Sequence, residues 1–226
     1  MATLDPRLPE RALSAGCLRD AACSRGQLSG VDSIFDDDRR GPSARFSDAA
    51  SQRPRWHLLN KDGTPEPGIT LRPAVPADAA AIGAVFDAAV RASWTYLGEL
   101  IAEPMFAPQD WDQLVADHKP PNVLLVAVDE GETVVGYTAV HPKDGEMFLL
   151  FVHPGHTARG IGRTLLAAAH DVLRAAGCRE AFLFVHERNE RALAVYTAAG
   201  YRPDGSVRLS DFRGTQLREL RLVKKL

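Results

Sequence analysis

Residues 152–166 read VHPGHTARGIGRTLL and connect a predicted strand to a predicted helix through a glycine-rich loop. Backbone N–H groups at the start of a helix lack partners within the helix, and the helix dipole makes that end positive, so such a loop suits a phosphate. Gly160 and Gly162 have no side chains to keep a phosphate from the backbone, and Arg159 and Arg163 add positive charge. Glycines can also serve only to shape a turn, but the combination favours an anion-binding site.

Two common phosphate ligands are disfavoured by the details of this loop. A nucleotide P-loop running from Gly155 to Gly160 requires Lys at the next position, where the chain has Ile161. A dinucleotide fingerprint beginning at Gly160 and Gly162 would place its third glycine at Leu165, and the preceding strands are predicted to be antiparallel. Nucleoside triphosphate hydrolysis and NAD binding are therefore both disfavoured.

The chain on either side of the loop alternates between strand and helix patterns. Apolar spacing predicts strands at residues 69–72, 122–128, 133–141, 146–152 and 181–185. It predicts helices at residues 76–91, 109–118, 161–176 and 190–199. The short connections at residues 129–132 and 142–145 predict hairpins, so the middle of the domain is expected to be an antiparallel meander.

A second informative segment, residues 189–201, reads NERALAVYTAAGY. Asn189 suits a helix N-cap and Gly200 suits the end of that helix. The expected inward face of the helix consists of Ala192, Val195 and Ala199. Together with residues 152–166, this segment closely resembles the two cofactor motifs of the GNAT superfamily of N-acetyltransferases, and the likeness extends over residues 69–226.

The resemblance implies both a fold and an activity. The implied fold is of the α/β class, with a mixed, mostly antiparallel sheet of six to seven strands, helices on both faces, and a splay between the fourth and fifth strands that admits acetyl-CoA. The implied activity is transfer of the acetyl group from acetyl-CoA to a primary amine by direct attack in a ternary complex, without a metal. The alternative is a non-catalytic module of the same fold that binds CoA or has a regulatory role.

The resemblance also assigns residues to the acetyl-CoA site. The backbone of the strand ending in Phe151 and Val152 would pair with pantetheine, and Asn189 would approach the pantetheine arm. The residues expected around the pyrophosphate are Thr157, Arg159, Gly160, Ile161, Gly162 and Arg163. Thr157 departs from the family, which usually has Gln or Arg three residues before the first motif glycine. We therefore expect weaker or differently shaped phosphate contacts, with the two arginines compensating.

Amine acylation requires a base and benefits from an acid. An aliphatic amine has a pKa of about 10 and is protonated at neutral pH, so its proton must be removed before it attacks. Glu146 matches a carboxylate that many relatives use as the base, although a glutamate at a hairpin can equally face water. Tyr196 would stand near the thioester sulfur and suits protonation of the departing thiolate, although an aromatic residue at this spacing can also be core packing.

The acceptor side is less well defined by the sequence. Residues of the irregular segment 94–119 cover the acceptor in this family, and an acidic residue among aromatics would suit a cationic amine. The candidate acceptor residues are Trp94, Tyr96, Glu99, Trp111, His141 and His186. The aromatic residues are equally consistent with a hydrophobic cluster, and the histidines with structural positions. A small amine, an amino acid, an antibiotic and a peptide or protein N-terminus all stay open as acceptors.

The first 68 residues differ in composition from the rest of the chain. Of these, 23 are hydrophobic, mostly Ala or isolated Leu, so they cannot bury much of a core. A Pro- and Gly-rich stretch at residues 63–68 has the composition of a linker. We therefore predict a disordered N-terminal extension over residues 1–68 and one folded domain over residues 69–226.

The overall composition excludes several classes of protein. Of 226 residues, 45% are hydrophobic, as in globular proteins. The 27 Lys and Arg residues against 29 Asp and Glu give a net charge of −2, so no basic field attracts nucleic acid or an anionic membrane. The three cysteines are scattered, and no apolar run reaches the length of a membrane span. These features predict a soluble, cytoplasmic monomer or homodimer without nucleic-acid or membrane partners.

Overall fold

A computed structural model describes residues 56–59 and 65–226. Within them the chain forms eight strands: β1 (Trp56–Leu59), β2 (Pro65–Pro73), β3 (Val123–Asp129), β4 (Val134–His141), β5 (Glu146–Val152), β6 (Glu180–His186), β7 (Arg202–Phe212) and β8 (Thr215–Lys225). The α-helices are α1 (Ala79–Ser93), α2 (Pro108–Asp117), α3 (Ile161–Ala175) and α4 (Glu190–Ala198). Short 3₁₀ helices lie at Pro76–Asp78, Thr95–Ile101 and Pro154–His156.

The strands form one mixed sheet in the order β1-β2-β3-β4-β5-β6-β8-β7. Neighbouring strands are antiparallel except β5 and β6, which are parallel. The predicted meander of β3, β4 and β5 and the mostly antiparallel sheet are therefore confirmed. The eighth strand, β1, was not expected, because it lies in the segment whose low hydrophobic content predicted an extension.

The splay of the sheet lies between β5 and β6, which are the fourth and fifth strands counted from Ile69. These two strands are in register at a single pair, Glu146 with Phe182, at the start of β5. Beyond this pair the strands diverge, so a cleft opens toward the end of β5 at Val152. The predicted position of the splay is confirmed.

Helices pack on both faces of the sheet, as predicted. Alternate residues of a strand point to opposite faces, and β3 shows the division clearly. Leu124 and Val126 belong to the cluster that includes α1 and α2, whereas Leu125 and Ala127 belong to the cluster that includes α3. The first pair of helices therefore covers one face and α3 covers the other.

One predicted helix face is wrong in part. Val195 was expected to point inward from α4, but it is 44% exposed, and Tyr196 is the buried residue of that helix. The reason is that α4 borders the open cleft, so the face with Val195 looks into the cleft and not into a closed core. A cap from Asn189 is confirmed, since its side-chain Oδ1 accepts a hydrogen bond from the backbone N–H of Ala192 at 3.2 Å.

Three expectations from the sequence can be compared with the structure only over the described residues. The predicted extension, residues 1–68, lies outside them except for β1 and the start of β2. No helix in the described part of the chain is long and apolar enough to cross a membrane. In the same part, no three His, Cys, Asp or Glu side chains come together as a group that could hold a metal ion.

Candidate active site

Two cavities of the described chain meet in the cleft between β5 and β6. The larger has a volume of about 560 Å³ and the smaller a volume of about 150 Å³. Their common wall consists of Trp94, Leu150, Phe151, Asn189, Ala192 and Tyr196. Two molecules bound side by side in these cavities would therefore approach each other at this wall.

The larger cavity begins at the N-terminus of α3, where the glycine-rich loop forms an anion cradle. Gly160 is the N-cap of α3 and has a φ of +85°, a left-handed conformation that glycine adopts without strain. The loop then turns directly into the helix, and the first N–H groups of α3 have no acceptor within the helix. The cradle therefore combines free backbone donors with the positive end of the helix dipole.

Most of the predicted acetyl-CoA residues line this larger cavity. They are Phe151, Val152, Thr157, Gly160, Ile161, Gly162, Arg163 and Asn189. Arg159 does not line it; its guanidinium is exposed and lies 3.2 Å from Nδ1 of His156. The sequence analysis missed Arg191, which lines the cavity from the first turn of α4. Its position two residues after the Asn189 cap was the signal that could have identified it.

Thr157 occupies the position at which the sequence departs from the family pattern. Its hydroxyl donates to the carbonyl oxygen of Pro154 at 2.9 Å, so it holds the loop and has no long polar arm to extend to a ligand. Arg163 and Arg191 are the cationic side chains that line the cavity. Positive charge at this cavity therefore comes from α3 and α4.

Tyr196 lies on the wall that the two cavities share. Its side chain is buried, and its hydroxyl has no hydrogen-bond partner among the described residues. Burial raises the pKa of Tyr196 above its usual value, so the phenol stays protonated at neutral pH. The group is therefore a proton donor that faces the point where the cavities meet.

The smaller cavity has an aromatic body and a few polar groups. Its aromatic lining consists of Phe86, Trp94, Phe106, Trp111, Phe148, Phe151 and Phe184. Its polar lining consists of His186, Asn189, Tyr196, Arg208 and Glu219. The predicted residues Trp94, Trp111 and His186 thus come together around one cavity, and the aromatic residues also pack in a hydrophobic cluster. Their role in binding an acceptor stays a prediction.

His186 is held between two polar partners. The Tyr96 hydroxyl lies 2.7 Å from Nδ1 of His186, and Oε1 of Glu219 lies 3.2 Å from Nε2. Burial alone would raise the pKa of Glu219, but the hydrogen bond from His186 and the charge of Arg208 outweigh it, so the pKa is below its usual value. An ionised carboxylate only accepts hydrogen bonds, so Nε2 carries the proton and Nδ1 accepts from Tyr96.

Four of the predicted catalytic and acceptor residues line neither cavity: Tyr96, Glu99, His141 and Glu146. Glu146 lines neither, and its Oε2 lies 3.6 Å from Nδ1 of His141, whose Nε2 lies 3.2 Å from Nε2 of His118. Glu99 is exposed, and the chain leaves helical geometry at the preceding Gly98, with a φ of +54°. The roles expected for Glu146 and Glu99 stay predictions without a contact to either cavity.

The sequence analysis missed Arg208 and Glu219, which lie in the hairpin of β7 and β8. Arg208 is opposite Glu219 in the strand register, and its Nε donates to Oε2 of Glu219 at 2.6 Å. No local motif marks either residue. The register of β7 with β8 pairs Arg208 with Glu219, and the register of β8 with β6 places Glu219 opposite His186.

Comparisons with known proteins agree with this architecture. A mycothiol acetyltransferase from Stackebrandtia nassauensis is 32% identical over 161 residues, covering 65% of this chain and 49% of that protein. A second one, from Clavibacter michiganensis, is 35% identical over 108 residues, covering 47% of this chain and 31% of that protein. The chain therefore spans about half or less of the length of these relatives.

Solved structures share the fold. A GCN5-related N-acetyltransferase from Rhodopseudomonas palustris has a TM-score of 0.58 at 24% identity, with 69% of this chain and 94% of that chain covered. The YncA structure from Salmonella typhimurium, described with its cofactor acetyl-CoA, has a TM-score of 0.54 at 22% identity, with 70% and 94% covered. Residues 86–201, more than half of the chain, match the Acetyltransferase (GNAT) family. The chain belongs to this family.

Proposed function

We propose that this protein transfers the acetyl group of acetyl-CoA to the primary amine of a small molecule. The observation that carries the proposal is the wall shared by the two cavities, because a donor in one and an acceptor in the other would meet there beside Tyr196. Membership of the GNAT family and the acetyltransferase names of its relatives support the reaction. The relatives named mycothiol acetyltransferase support a small-molecule acceptor.

The donor would occupy the larger cavity. Its pyrophosphate would lie at the N-terminus of α3, where Gly160 and Gly162 leave the backbone accessible and Arg163 and Arg191 supply charge. The pantetheine arm would run between the end of β5 and α4. The thioester would then reach the shared wall at Tyr196.

His186 is the proposed proton acceptor. The Tyr96 hydroxyl donates to Nδ1 of His186 but lines neither cavity, so the proton of the amine would pass through a water to this hydroxyl, which gives its own proton to Nδ1. Glu219 holds the proton on Nε2 and stabilises the positive imidazolium that results. A hydroxyl, an imidazole and an orienting carboxylate in this order have the arrangement of a catalytic triad, but here the nucleophile is the amine of the acceptor.

Tyr196 is the proposed proton donor to the leaving group. The neutral amine attacks the thioester carbonyl carbon, a C–N bond forms, and the C–S bond breaks. The proton of the attacking nitrogen goes to His186, and the departing sulfur takes the phenolic proton of Tyr196. Solvent then restores both groups. Attack is direct, so the acyl group forms no bond to the enzyme.

The donor site is tested by calorimetry of CoA binding. Gly160→Glu places bulk and negative charge in the cradle and is expected to weaken CoA binding by at least about tenfold, more than 1.4 kcal/mol. The matched control is Gly205→Glu, because Gly205 also has a positive φ, of +92°, but lines neither cavity. Unchanged affinity in Gly160→Glu would place the CoA site elsewhere.

A non-catalytic CoA-binding module is the second candidate function. The observation in its favour is Thr157, which stands where the family pattern has a longer polar side chain. Its hydroxyl is hydrogen-bonded to the carbonyl oxygen of Pro154. A thiol-release assay with acetyl-CoA and a panel of amines separates the two candidates. CoA binding without release of thiol for any amine would favour the module.

The division of the chain is also a proposal. We propose that residues 69–226 carry the activity and that residues 1–68 are dispensable for it. A shortened chain beginning at Trp56 keeps all eight strands, whereas one beginning at Pro67 loses β1. The chain beginning at Pro67 is expected to turn over like the full chain, and loss of turnover in either shortened chain would show that the segment removed from it contributes to the site.

A further inference from the structure

The smaller cavity is built from packed aromatic rings. The ring of Phe86 is at the centre of this group of rings. Its centroid lies 5.1 Å from that of Trp111, 5.4 Å from that of Phe106 and 4.9 Å from that of Phe151. Such edge-on and tilted contacts hold the rings in fixed positions. The cavity therefore has a defined shape and an apolar surface.

The volume of the cavity limits what it can hold. At about 150 Å³ it matches a cavity size that, when lined by apolar side chains, stays dry and binds benzene. A sugar or another polyhydroxyl group in such a place would leave the hydroxyls that face the aromatic rings without partners, which costs binding energy. The cavity therefore suits one apolar group of about the size of a six-membered ring.

Three of the five polar side chains that line the cavity, His186, Arg208 and Glu219, are already paired with one another. Glu219 accepts from Arg208 at 2.6 Å, from Ser210 at 3.3 Å and from His186 at 3.2 Å. The guanidinium of Arg208 also lies 4.0 Å from the centroid of the Phe184 ring. Because the two charges neutralise each other, no unpaired charge remains here for a second ionic group on the acceptor.

We propose that the preferred acceptor is a primary amine on a single compact apolar body, of which benzylamine is the model, with no second charge and no polyhydroxyl group. Its ring would lie against the surface that Phe86, Phe106 and Trp111 line, and its nitrogen would lie toward the shared wall near His186 and Tyr196. This inference rests on the proposed function and specifies its acceptor class.

The acceptor series is measured by thiol release at saturating acetyl-CoA. The kcat/KM for benzylamine is expected to exceed that for glucosamine and for spermidine by at least about 100-fold, because the latter two bring unpaired polar groups into the cavity. It is expected to exceed that for naphthylmethylamine, whose second ring does not fit, and that for propylamine, which leaves space empty. A preference for glucosamine or spermidine would overturn the proposal while the acetyltransferase function stands.

An enlarged cavity gives a gain-of-function test. Phe106 is half-buried in a loop, so Phe106→Ala is expected to fold and to shift the preference from benzylamine toward naphthylmethylamine. The matched control is Leu209→Ala, which removes an apolar side chain that is 63% exposed and lines neither cavity, and it should keep the wild-type order. An unchanged order in Phe106→Ala would contradict the placement of the ring.

Binding without turnover separates the two proposals. Trp94 and Trp111 both line the cavity, so benzylamine added to the CoA-bound protein is expected to change tryptophan fluorescence, and glucosamine is not. If no amine is acetylated but benzylamine alone gives this signal, the proposed function fails and the acceptor class stands. If hexanoyl-CoA is a better donor than acetyl-CoA, the cavity holds an acyl chain and the inference is overturned.

Discussion

The Tyr96 hydroxyl lies 2.7 Å from Nδ1 of His186, although the two residues are 90 positions apart in the chain. Tyr96 lies in the 3₁₀ helix after α1, and His186 ends β6. On the other side Glu219, from β8, holds Nε2, and the ring of Trp94 has its centroid 4.4 Å from that of the imidazole. Separate parts of the fold therefore orient one imidazole at the wall of the smaller cavity.

The first prediction concerns His186 as the proton acceptor. His186→Ala is expected to lower kcat by about 10²- to 10⁴-fold, the usual value of general base assistance, with CoA affinity unchanged within about twofold. Glu219→Gln keeps the shape but removes the charge that stabilises a protonated imidazole. When kcat/KM of the Glu219→Gln variant is plotted against pH, the acid limb should therefore lie at lower pH than in the wild type. Both effects are measured by thiol release across pH and by calorimetry with CoA.

Two further carboxylates make this prediction specific. Glu187 pairs with Arg218 at 3.0 Å and lines neither cavity, so Glu187→Gln should keep the wild-type profile. Glu146→Gln tests the base expected from the sequence. Loss of the acid limb in Glu146→Gln, with an unchanged limb in the His186 variant, would assign the base to Glu146 and contradict the role of His186.

The second prediction concerns Tyr196 as the proton donor. Tyr196→Phe keeps the ring on the shared wall and removes only the hydroxyl, which has no other partner among the described residues. We expect kcat to fall by about 10²- to 10⁴-fold while KM for acetyl-CoA changes little. A purely structural tyrosine would instead lose thermal stability and keep its turnover, so both quantities are measured on the same variant.

Features that depend on neighbours in sequence were predictable. The glycine loop at Gly160, the cap at Asn189 and the meander of β3, β4 and β5 follow from local patterns, and the structure has them as expected. The role expected for Glu146 stays a prediction. Its carboxylate lies 3.6 Å from Nδ1 of His141 and lines neither cavity, although Met147 and Phe148, which follow it in β5, line the smaller one.

Features that depend on long-range register were not predictable. Arg208 and Glu219 have no flanking motif. They reach His186 only because β7 pairs with β8 and β8 pairs with β6. The same holds for Arg213, which lies in the turn between β7 and β8 and contacts a loop more than 100 positions earlier in the chain. Sequence spacing does not encode such contacts.

The third prediction concerns Arg213 and the acceptor cavity. Its guanidinium donates to the carbonyl oxygens of Leu100 at 2.6 Å and Pro104 at 2.8 Å. This loop leads directly to Met105 and Phe106, which line the smaller cavity but not the larger. Hydrogen bonds from a charged group contribute about 1.5–3 kcal/mol, so Arg213→Ala is expected to raise KM for the acceptor by roughly tenfold.

The KM for acetyl-CoA is the internal control for Arg213→Ala and should stay within about twofold of the wild-type value. Arg218→Ala removes an exposed arginine of the same hairpin that pairs with Glu187. It should leave both KM values unchanged. Equal increases in the two KM values of Arg213→Ala would indicate general loss of structure and not control of the acceptor loop.

The fourth prediction concerns close packing between α1 and α2. A Cβ at Gly83 would lie 2.7 Å from Nε1 and 2.8 Å from Cδ1 of Trp111, closer than real contacts. Gly→Ala in an open helix position stabilises by about 1 kcal/mol, but overpacking here is expected to lower the free energy of unfolding by about 1–3 kcal/mol. Trp111→Phe should relieve part of this loss in the double variant. Urea unfolding measures all three variants, and stabilisation by Gly83→Ala alone would contradict the contact.

The last prediction concerns His170 and the pH dependence of stability. His170 is buried, with Nε2 2.9 Å from the Tyr201 hydroxyl, and burial, with smaller effects of Lys224 and Arg174, lowers its pKa from 6.5 to about 4. Between these values the unfolded chain binds a proton that the folded protein does not, so the free energy of unfolding falls as pH falls, by up to about 1.4 kcal/mol per pH unit. Below about pH 4 both states are protonated and the effect is constant. His170→Gln keeps an N–H near Tyr201 and cannot gain the proton, so its unfolding free energy, measured in urea from pH 4.5 to 7, should depend less on pH. Equal pH slopes in wild type and His170→Gln would show that His170 does not titrate differently in the two states.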